Sequence, residues 1–142
     1  MTGADAGARP RILVAYDGSD ASERALTRVT RFMKEAEVAI VTVARPIFRD
    51  PPYTGYADPW DEQEQRRVIA VARDTLARGG ITATDYAPVG DPADEILATA
   101  KAFEAELIVM GARSLAKVRR LVLGSVSTKV MHESPFDVLI VK

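Results

Sequence analysis

The chain has 142 residues, of which 47% are hydrophobic and 27% are charged, and these proportions are typical of one folded domain. The composition excludes a mainly disordered chain, and the length excludes a two-domain enzyme. No apolar run approaches the ~20 residues that a membrane-spanning helix needs. The net charge of −1 argues against generic nucleic-acid binding, and the lack of cysteine excludes disulfides and thiolate metal sites.

The amino terminus is small and polar, without the apolar stretch that a secretory signal requires. We therefore expect a flexible tail over residues 1–10 and one domain over residues 11–142. The same observation favours a cytoplasmic location.

Apolar runs of strand length alternate with helical spacings along the domain. The first strand is predicted at Ile12–Tyr16. A helix is predicted to follow it, beginning at Asp20, which forms a capping-box-like pair with Glu23. The second strand is predicted at Val38–Val43. Because this run is apolar without alternation, it is typical of a strand buried on both faces of a parallel sheet.

A loop rich in proline and aromatic residues follows over residues 45–59. Phe48, Tyr53, Tyr56 and Trp60 place four aromatic rings within or beside it. One interpretation is a lid or a contact surface for a protein partner over Phe48–Trp60. The other is that these rings pack back onto the domain.

The second half of the chain continues the alternation. A helix is predicted to end at Gly79 and Gly80. A polar strand, which we expect at an edge of the sheet, is predicted to follow it. The remaining predicted elements are the strand Ile81–Val89, a helix after Gly90 and Pro92, the strand Leu107–Met110, a helix over Ser125–Glu133 and the strand Val138–Val141. The pattern predicts an α/β fold: a single doubly wound domain with a five-stranded parallel sheet and helices on both faces.

Ligands of such sheets bind beyond the carboxyl ends of the strands, where the winding direction reverses. The simplest arrangement puts the first and fourth strands side by side there, which brings Asp17 close to Gly111. The Asp17 carboxylate is suited to accept hydrogen bonds from an exocyclic amine or a ribose hydroxyl. It is equally suited to bond loop amides in a turn, and both interpretations stay open.

The stretch after the fourth strand concentrates positive charge. Residues 107–131 contain five Lys or Arg residues, including Arg113 and Lys117, and no acidic residue, so they carry +5 of the chain's charge. Gly124 and the hydroxyl residues Ser125 and Ser127 stand where the last helix begins, and a helix N-terminus suits phosphate. The alternative interpretation is a solvated basic loop.

Gly111, Ser114, Gly124 and Ser125 reproduce a known spacing: Gly, two residues, Gly, nine residues, Gly, then Ser or Thr. Serine stands at the second position instead of glycine. With this spacing the chain resembles the universal stress protein family, and the resemblance extends from Arg11 to Lys142.

The resemblance implies an adenine-nucleotide-binding fold with strand order 3-2-1-4-5. It implies adenine near Ala15, Asp17, Val43 and Met110, the ribose near Gly111, and phosphates near Ser114, Gly124, Ser125, Val126 and Ser127. By their charge, Arg113 and Lys117 are expected to add to this phosphate site. ATP, with or without Mg²⁺, is the expected ligand. A homodimer through the last strand, Asp137–Lys142, is expected as well.

Two functions are therefore compared. The first is an ATP-binding dimeric regulator in the stress response, with no catalytic residue and at most slow ATP hydrolysis, because no positioned base is visible. The second is a dimeric interaction module without a nucleotide, in which Ser114 closes the phosphate site and the Phe48–Trp60 loop contacts a partner.

Overall fold

A computed structural model of the chain describes residues 7–45, 62–112 and 123–142. Strands and helices alternate within these ranges, as predicted. The elements are β1 (Arg11–Ala15), α1 (Asp20–Phe32), β2 (Glu37–Val41), α2 (Glu62–Arg78), β3 (Ala83–Tyr86), α3 (Pro92–Phe103), β4 (Leu107–Gly111), α4 (Ser125–Glu133) and β5 (Asp137–Val141). Among the described residues, no helix has both the length and the apolar character needed to cross a bilayer.

The five strands form one sheet in the order β3-β2-β1-β4-β5, and every neighbouring pair is parallel. This confirms the predicted fold class and strand order. β1 pairs with β4 in a register that puts Val14 opposite Val109. The winding direction therefore reverses between β1 and β4, which is where such folds bind ligands.

The sheet is buried on both faces. The first face lies under α1 and α2, and the second face lies under α3 and α4. Buried residues of the first face include Val14, Val109, Leu26, Val29, Val68 and Leu76. Those of the second face include Leu13, Ile108, Ala93, Ile96, Phe103 and Val130. Each fully buried aliphatic side chain contributes about 1.5–3 kcal/mol, so this double layer provides most of the stability.

The start of α1 differs from the prediction. Ser19, not Asp20, is the N-cap: its side chain accepts a hydrogen bond of 3.2 Å from the Ser22 N–H. Glu23 does not return to the cap, because its carboxylate accepts a hydrogen bond from the Tyr16 hydroxyl. The capping-box prediction was therefore wrong by one residue. The shift leaves Asp17 in the loop between β1 and the cap.

The third strand is shorter than the predicted Ile81–Val89, although it does lie at an edge of the sheet, as predicted. Ile81 lies instead just after the turn that ends α2, and its N–H donates to the Leu76 carbonyl at 2.9 Å. Gly80 makes this turn possible because its φ of +85° is accessible to glycine at little cost. The predicted glycine cap of this helix is thereby confirmed.

Two residues of the predicted tail contact the domain. Arg9 donates from Nε to the Glu35 carbonyl at 2.9 Å and from its second guanidinium nitrogen to the Ala36 carbonyl at 3.0 Å. The Pro10 carbonyl accepts a hydrogen bond of 2.8 Å from the Glu37 N–H. These bonds hold residues 9 and 10 against the start of β2, while residues 1–6 lie outside the described ranges.

The N-terminus of α3 is capped by Asp91, whose Oδ2 accepts a hydrogen bond of 3.0 Å from the Asp94 N–H. Lys129 of α4 lies 3.2 Å from the same oxygen and 2.9 Å from the Asp94 carboxylate. The Asp94 N–H, with help from Lys129, lowers the pKa of the Asp91 carboxyl. This group therefore caps α3 and connects it to α4.

We predict that Asp91→Ala lowers the free energy of unfolding by about 1 kcal/mol at neutral pH, because the helix loses its cap. Asp91→Asn keeps an acceptor and should lose much less. Since the pKa is lower in the folded state, the stabilisation by the carboxylate is present above the unfolded pKa of about 3.9 and is lost as the pH falls through the folded pKa. Urea denaturation at neutral and acidic pH measures this, and an Asn variant as unstable as the Ala variant would contradict it.

Candidate functional site

Several of the residues predicted to bind a ligand lie at one end of the sheet, where β2, β1 and β4 end side by side. These are Asp17, Val43, Gly111 and the first turn of α4, Ser125–Ser127, which we call the carboxyl-end site. The first turn of α4 is attached to β4 because the Gly124 N–H donates to the Ala112 carbonyl at 2.7 Å. The topology thus brings together residues that are distant in the sequence.

Asp17 follows β1 and is partly exposed. Its Oδ1 accepts a hydrogen bond of 2.9 Å from the Ser19 N–H, which fixes the loop before α1. Its Oδ2 makes no hydrogen bond to any residue of the described ranges. One oxygen therefore has the turn role that the sequence left open, and the other is available to a ligand.

Val43 lies just beyond the end of β2, where the hydrogen-bonding pattern of the sheet changes. The Thr42 N–H donates to the Tyr86 carbonyl at 3.1 Å and the Ala44 N–H donates to the Pro88 carbonyl at 3.0 Å, both toward β3. Because alternate residues of a strand point their backbone groups to opposite sides, the N–H and C=O of Val43 point toward β1.

β1 provides no partner for these backbone groups. The last hydrogen bond between β1 and β2 runs from the Tyr16 N–H to the Val41 carbonyl at 3.0 Å. After it the chain turns away into the Asp17 loop. Within residues 7–45, 62–112 and 123–142, the N–H and C=O of Val43 therefore have no hydrogen-bond partner. They form an adjacent donor and acceptor, which complements a flat group that presents an acceptor beside a donor.

Apolar side chains of the predicted adenine site share one face of the sheet. Ala15 and Met110 are buried in the second face, and Val43 is partly buried against the same cluster. Val126, which was predicted near the phosphates, packs against this cluster as well. Ala15, Met110 and Val43 therefore belong to one apolar cluster at this face.

Gly111 has a packing role that the sequence did not reveal. A Cβ at this position would lie 2.7 Å from the carbonyl carbon and the Cβ of Ala21, and 2.9 Å from the Ser22 nitrogen. These atoms belong to the start of α1, and they are too close for any side chain at residue 111. Glycine here lets α1 approach the end of β4, in addition to any contact that it makes with a ligand.

The first turn of α4 has the electrostatic character of an anion site. Its N-cap is Gly124, which provides no side-chain hydrogen bond. Of the four described helices, α4 alone has no acidic residue in its first turn. The first N–H groups of a helix have no partner within the helix, and they stand at the positive end of its dipole.

The two predicted hydroxyl donors of this turn differ. Ser125 is exposed. Ser127 is buried, and its Oγ lies 2.9 Å from the Ala112 carbonyl and 3.0 Å from the Gly124 carbonyl, to which it can donate. The Ser127 hydroxyl thus stabilises the junction of β4 and α4.

Several predictions lie outside the described residues. Arg113, Ser114 and Lys117 fall within 113–122, and the Phe48–Trp60 loop falls within 46–61. Of the five cations that gave residues 107–131 their +5, the described part contains Lys129. It forms ion pairs with two carboxylates of α3, so its charge is directed there.

Two buried polar side chains behind Val43 were not predicted from the sequence. Thr42 is fully buried, and its Oγ1 donates to the Tyr16 carbonyl at 2.8 Å. Gln65 of α2 is 3% exposed, and its Nε2 lies 2.7 Å from the Thr42 carbonyl and 2.9 Å from the Pro88 carbonyl. The one signal in the sequence was Pro88, which has no N–H to give to a neighbouring strand.

Tyr16 contributes a buried phenol beside this network. Burial raises the pKa of the phenol well above its ordinary value, and the hydrogen bond to Glu23 raises it further. The phenol is therefore neutral at physiological pH and donates to the Glu23 carboxylate. This bond connects the end of β1 with the first turn of α1.

Comparison with known proteins gives consistent matches over nearly the whole chain. The family model of the universal stress protein family matches residues 9–142. A universal stress protein of Thermus aquaticus is 38% identical over 136 residues, covering 92% of this chain and 97% of the relative. Universal stress protein YxiE of Bacillus subtilis is 34% identical over 145 residues, covering 93% and 98%. A solved universal stress protein in complex with cAMP is 28% identical, with a TM-score of 0.72 and coverage of 94% and 97%.

We predict that Gly111→Ala lowers the free energy of unfolding by about 1–3 kcal/mol, because the new Cβ meets the backbone of α1. The matched control is Gly90→Ala, whose added Cβ meets the flexible side chain of Glu95 and should cost less. Urea denaturation of both variants measures the difference. An unchanged stability of Gly111→Ala would show that α1 does not require this close approach.

Proposed function

Because the chain belongs to the universal stress protein family, we propose that it binds an adenine nucleotide, ATP with or without Mg²⁺, at the carboxyl-end site. One observation carries the proposal: the N–H and C=O of Val43, which have no hydrogen-bond partner in the described part of the chain, lie at the same end of the sheet as the acid-free first turn of α4. The complex of a related universal stress protein with cAMP supports the same ligand class.

The base is proposed to bind at Val43. Adenine presents an amine donor next to a ring-nitrogen acceptor, so it can accept from the Val43 N–H and donate to the Val43 C=O. Ala15 and Met110 would contact its ring from the second face. Two backbone hydrogen bonds in this order favour adenine over guanine, which presents an acceptor oxygen in place of the amine.

The ribose is proposed to lie between Asp17 and Gly111. The Oδ2 of Asp17 can accept from a ribose hydroxyl while Oδ1 keeps its bond to the Ser19 N–H. A hydrogen bond to a charged acceptor is stronger than one between neutral groups, so this contact would add to affinity and orientation.

The phosphates are proposed to bind at the first turn of α4. The N–H groups of Ser125 and Val126, with the exposed Ser125 hydroxyl, would donate to phosphate oxygens, and Ser127 would add its N–H. Gly124 keeps the cap free of a competing side chain. The predicted contributions of Arg113, Ser114 and Mg²⁺ remain part of the proposal.

The nucleotide is proposed to act as a regulatory ligand in the stress response, controlling conformation or partner choice, and not as a rapidly consumed substrate. Asp17 is the acidic residue of the carboxyl-end site, and one of its oxygens is committed to the loop before α1. A cytoplasmic location, expected from the sequence, belongs to the same proposal.

A homodimer is proposed through the exposed edge of β5. The Val141 carbonyl accepts from the Ala112 N–H at 2.7 Å, so Val141 points its backbone groups toward β4. The alternate residues Val138 and Ile140 then point their N–H and C=O groups outward. The Leu139 side chain is 38% exposed along the same edge. A second copy of β5 would pair these groups and cover Leu139.

We predict that Ser125→Glu weakens ATP binding by about tenfold or more, because a carboxylate in the first turn repels phosphate. The same carboxylate interacts favourably with the helix dipole, so the fold should be unharmed. Ser125→Gln is the neutral control of equal size; it loses the hydroxyl but keeps the backbone N–H and gains an amide donor, so it should bind ATP far better than the Glu variant. Adenosine affinity should not differ between the Glu and Gln variants.

Titration calorimetry with ATP and with adenosine measures all three proteins. A wild type that gives no heat with millimolar ATP would contradict nucleotide binding and support the interaction module. Equal ATP affinities of the Glu and Gln variants would move the phosphates away from α4.

We predict that Leu139→Lys makes the protein monomeric, because a charge on the β5 edge blocks edge-to-edge pairing. Phe32→Lys is the control, since Phe32 is 67% exposed at the end of α1, away from this edge. Sedimentation velocity gives the mass of each species. A wild type that is monomeric, or a dimer that survives Leu139→Lys, would contradict the proposed interface.

A further inference from the structure

Thr42 replaces a backbone hydrogen bond that a continuing parallel ladder would contain. After the bond from the Tyr16 N–H to the Val41 carbonyl, the next bond would run from the Val43 N–H to the Tyr16 carbonyl. The Thr42 hydroxyl donates to that carbonyl instead, at 2.8 Å, from a fully buried position. The Tyr16 carbonyl is thereby satisfied, and the Val43 N–H is left without a partner in the described part of the chain.

Gln65 replaces a second ladder bond on the opposite side of the same strand. Just after β2, the Thr42 N–H donates to the carbonyl of Tyr86 at the end of β3, and the Ala44 N–H donates to the Pro88 carbonyl two residues further on. The pattern requires residue 88 to donate to the Thr42 carbonyl, and Pro88 has no N–H. Nε2 of Gln65 takes that place at 2.7 Å and also lies 2.9 Å from the Pro88 carbonyl.

Both replacements bear on one rigid peptide unit, Gln65 by contacting it and Thr42 by satisfying the Tyr16 carbonyl that faces it. The Thr42 carbonyl and the Val43 N–H belong to the same planar peptide unit and point in opposite directions. Gln65 holds the carbonyl end of this unit, so it fixes the direction of the N–H at the other end. The Thr42 hydroxyl satisfies the Tyr16 carbonyl, the group to which that N–H would donate in a continuing ladder. The two side chains therefore act on the same donor by independent contacts.

We propose that Thr42 and Gln65 are positioning residues that hold the Val43 backbone open and aimed at the base of the bound nucleotide. This inference rests on the proposed function. It means that the affinity for the base depends on two buried side chains, neither of which is expected to contact the ligand. It also connects the base position with α2, the element that carries Gln65.

The first test replaces the hydroxyl of Thr42. In Thr42→Val the Tyr16 carbonyl loses its donor, and the Val43 N–H is the backbone group placed to replace it. We expect amide hydrogen exchange of Val43, followed by NMR without nucleotide, to become at least about tenfold slower than in the wild type, and ATP affinity to fall about tenfold. Thr42→Ser keeps the hydroxyl and should restore both properties.

The second test uses the missing N–H of Pro88. Gln65→Leu leaves the Thr42 carbonyl without a donor and should weaken ATP binding several-fold. Pro88→Ala supplies the backbone N–H that the ladder pattern calls for, so the double variant Gln65→Leu/Pro88→Ala should regain most of the affinity. Pro88→Ala alone should bind ATP like the wild type. Leu76→Ala, a core substitution of α2, controls for loss of stability alone.

The outcomes separate this inference from the proposed function. Unchanged Val43 exchange and unchanged ATP affinity in Thr42→Val would overturn the inference while nucleotide binding stands. Leu76→Ala could lose as much ATP affinity as Gln65→Leu, and Pro88→Ala could fail to restore the affinity of Gln65→Leu. These two results together would show that Gln65 is only a structural residue and would overturn its assignment. A wild type that binds no adenine nucleotide, although its Val43 amide exchanges as expected, would overturn both roles together with the proposed function.

Discussion

The arrangement of the carboxyl-end site depends on where the hydrogen bonds between β1 and β2 stop. The last of them joins the Tyr16 N–H to the Val41 carbonyl, and the Thr42 hydroxyl then satisfies the Tyr16 carbonyl. β1 can therefore turn into the Asp17 loop without leaving a buried carbonyl unpaired, which would cost about 1–3 kcal/mol. The same interaction leaves the Val43 N–H without a partner in the described part of the chain, so a requirement of folding also shapes the edge at which we propose that the base binds.

Packing on the two faces of the sheet determines on which face the residues proposed to contact the base lie. On the first face α1 lies directly against β4, and Gly111 is the residue that permits the contact. On the second face the start of α4 is held to the end of β4 by the Ser127 hydroxyl and the Gly124 N–H. α1 therefore occupies the first face, while the apolar residues proposed for the base and the α4 N-terminus are associated with the second face.

The sequence was sufficient to predict the α/β class, the strand order through the family resemblance, and that Asp17, Val43, Gly111 and the start of α4 lie at the same end of the sheet. Apolar runs and glycine positions report burial and turns, which are local properties. The roles of Thr42, Gln65 and Ser127 were missed because each depends on a hydrogen bond to a backbone carbonyl of another element. Ser19 was missed as the cap of α1 because Asp20 next to it is an equally good capping residue.

The central claim is that one nucleotide contacts the Val43 edge and the α4 N-terminus together. Titrating ¹⁵N-labelled protein with ATP, while following the amide signals by NMR, tests it most directly. We predict saturable shifts at Val43, at Asp17 and at Ser125–Val126 with a single dissociation constant, and adenosine should reproduce the Val43 shift without the shift at Ser125. Amide signals of Val43 and Ser125 that do not move at saturating ATP would contradict binding of one nucleotide at both places.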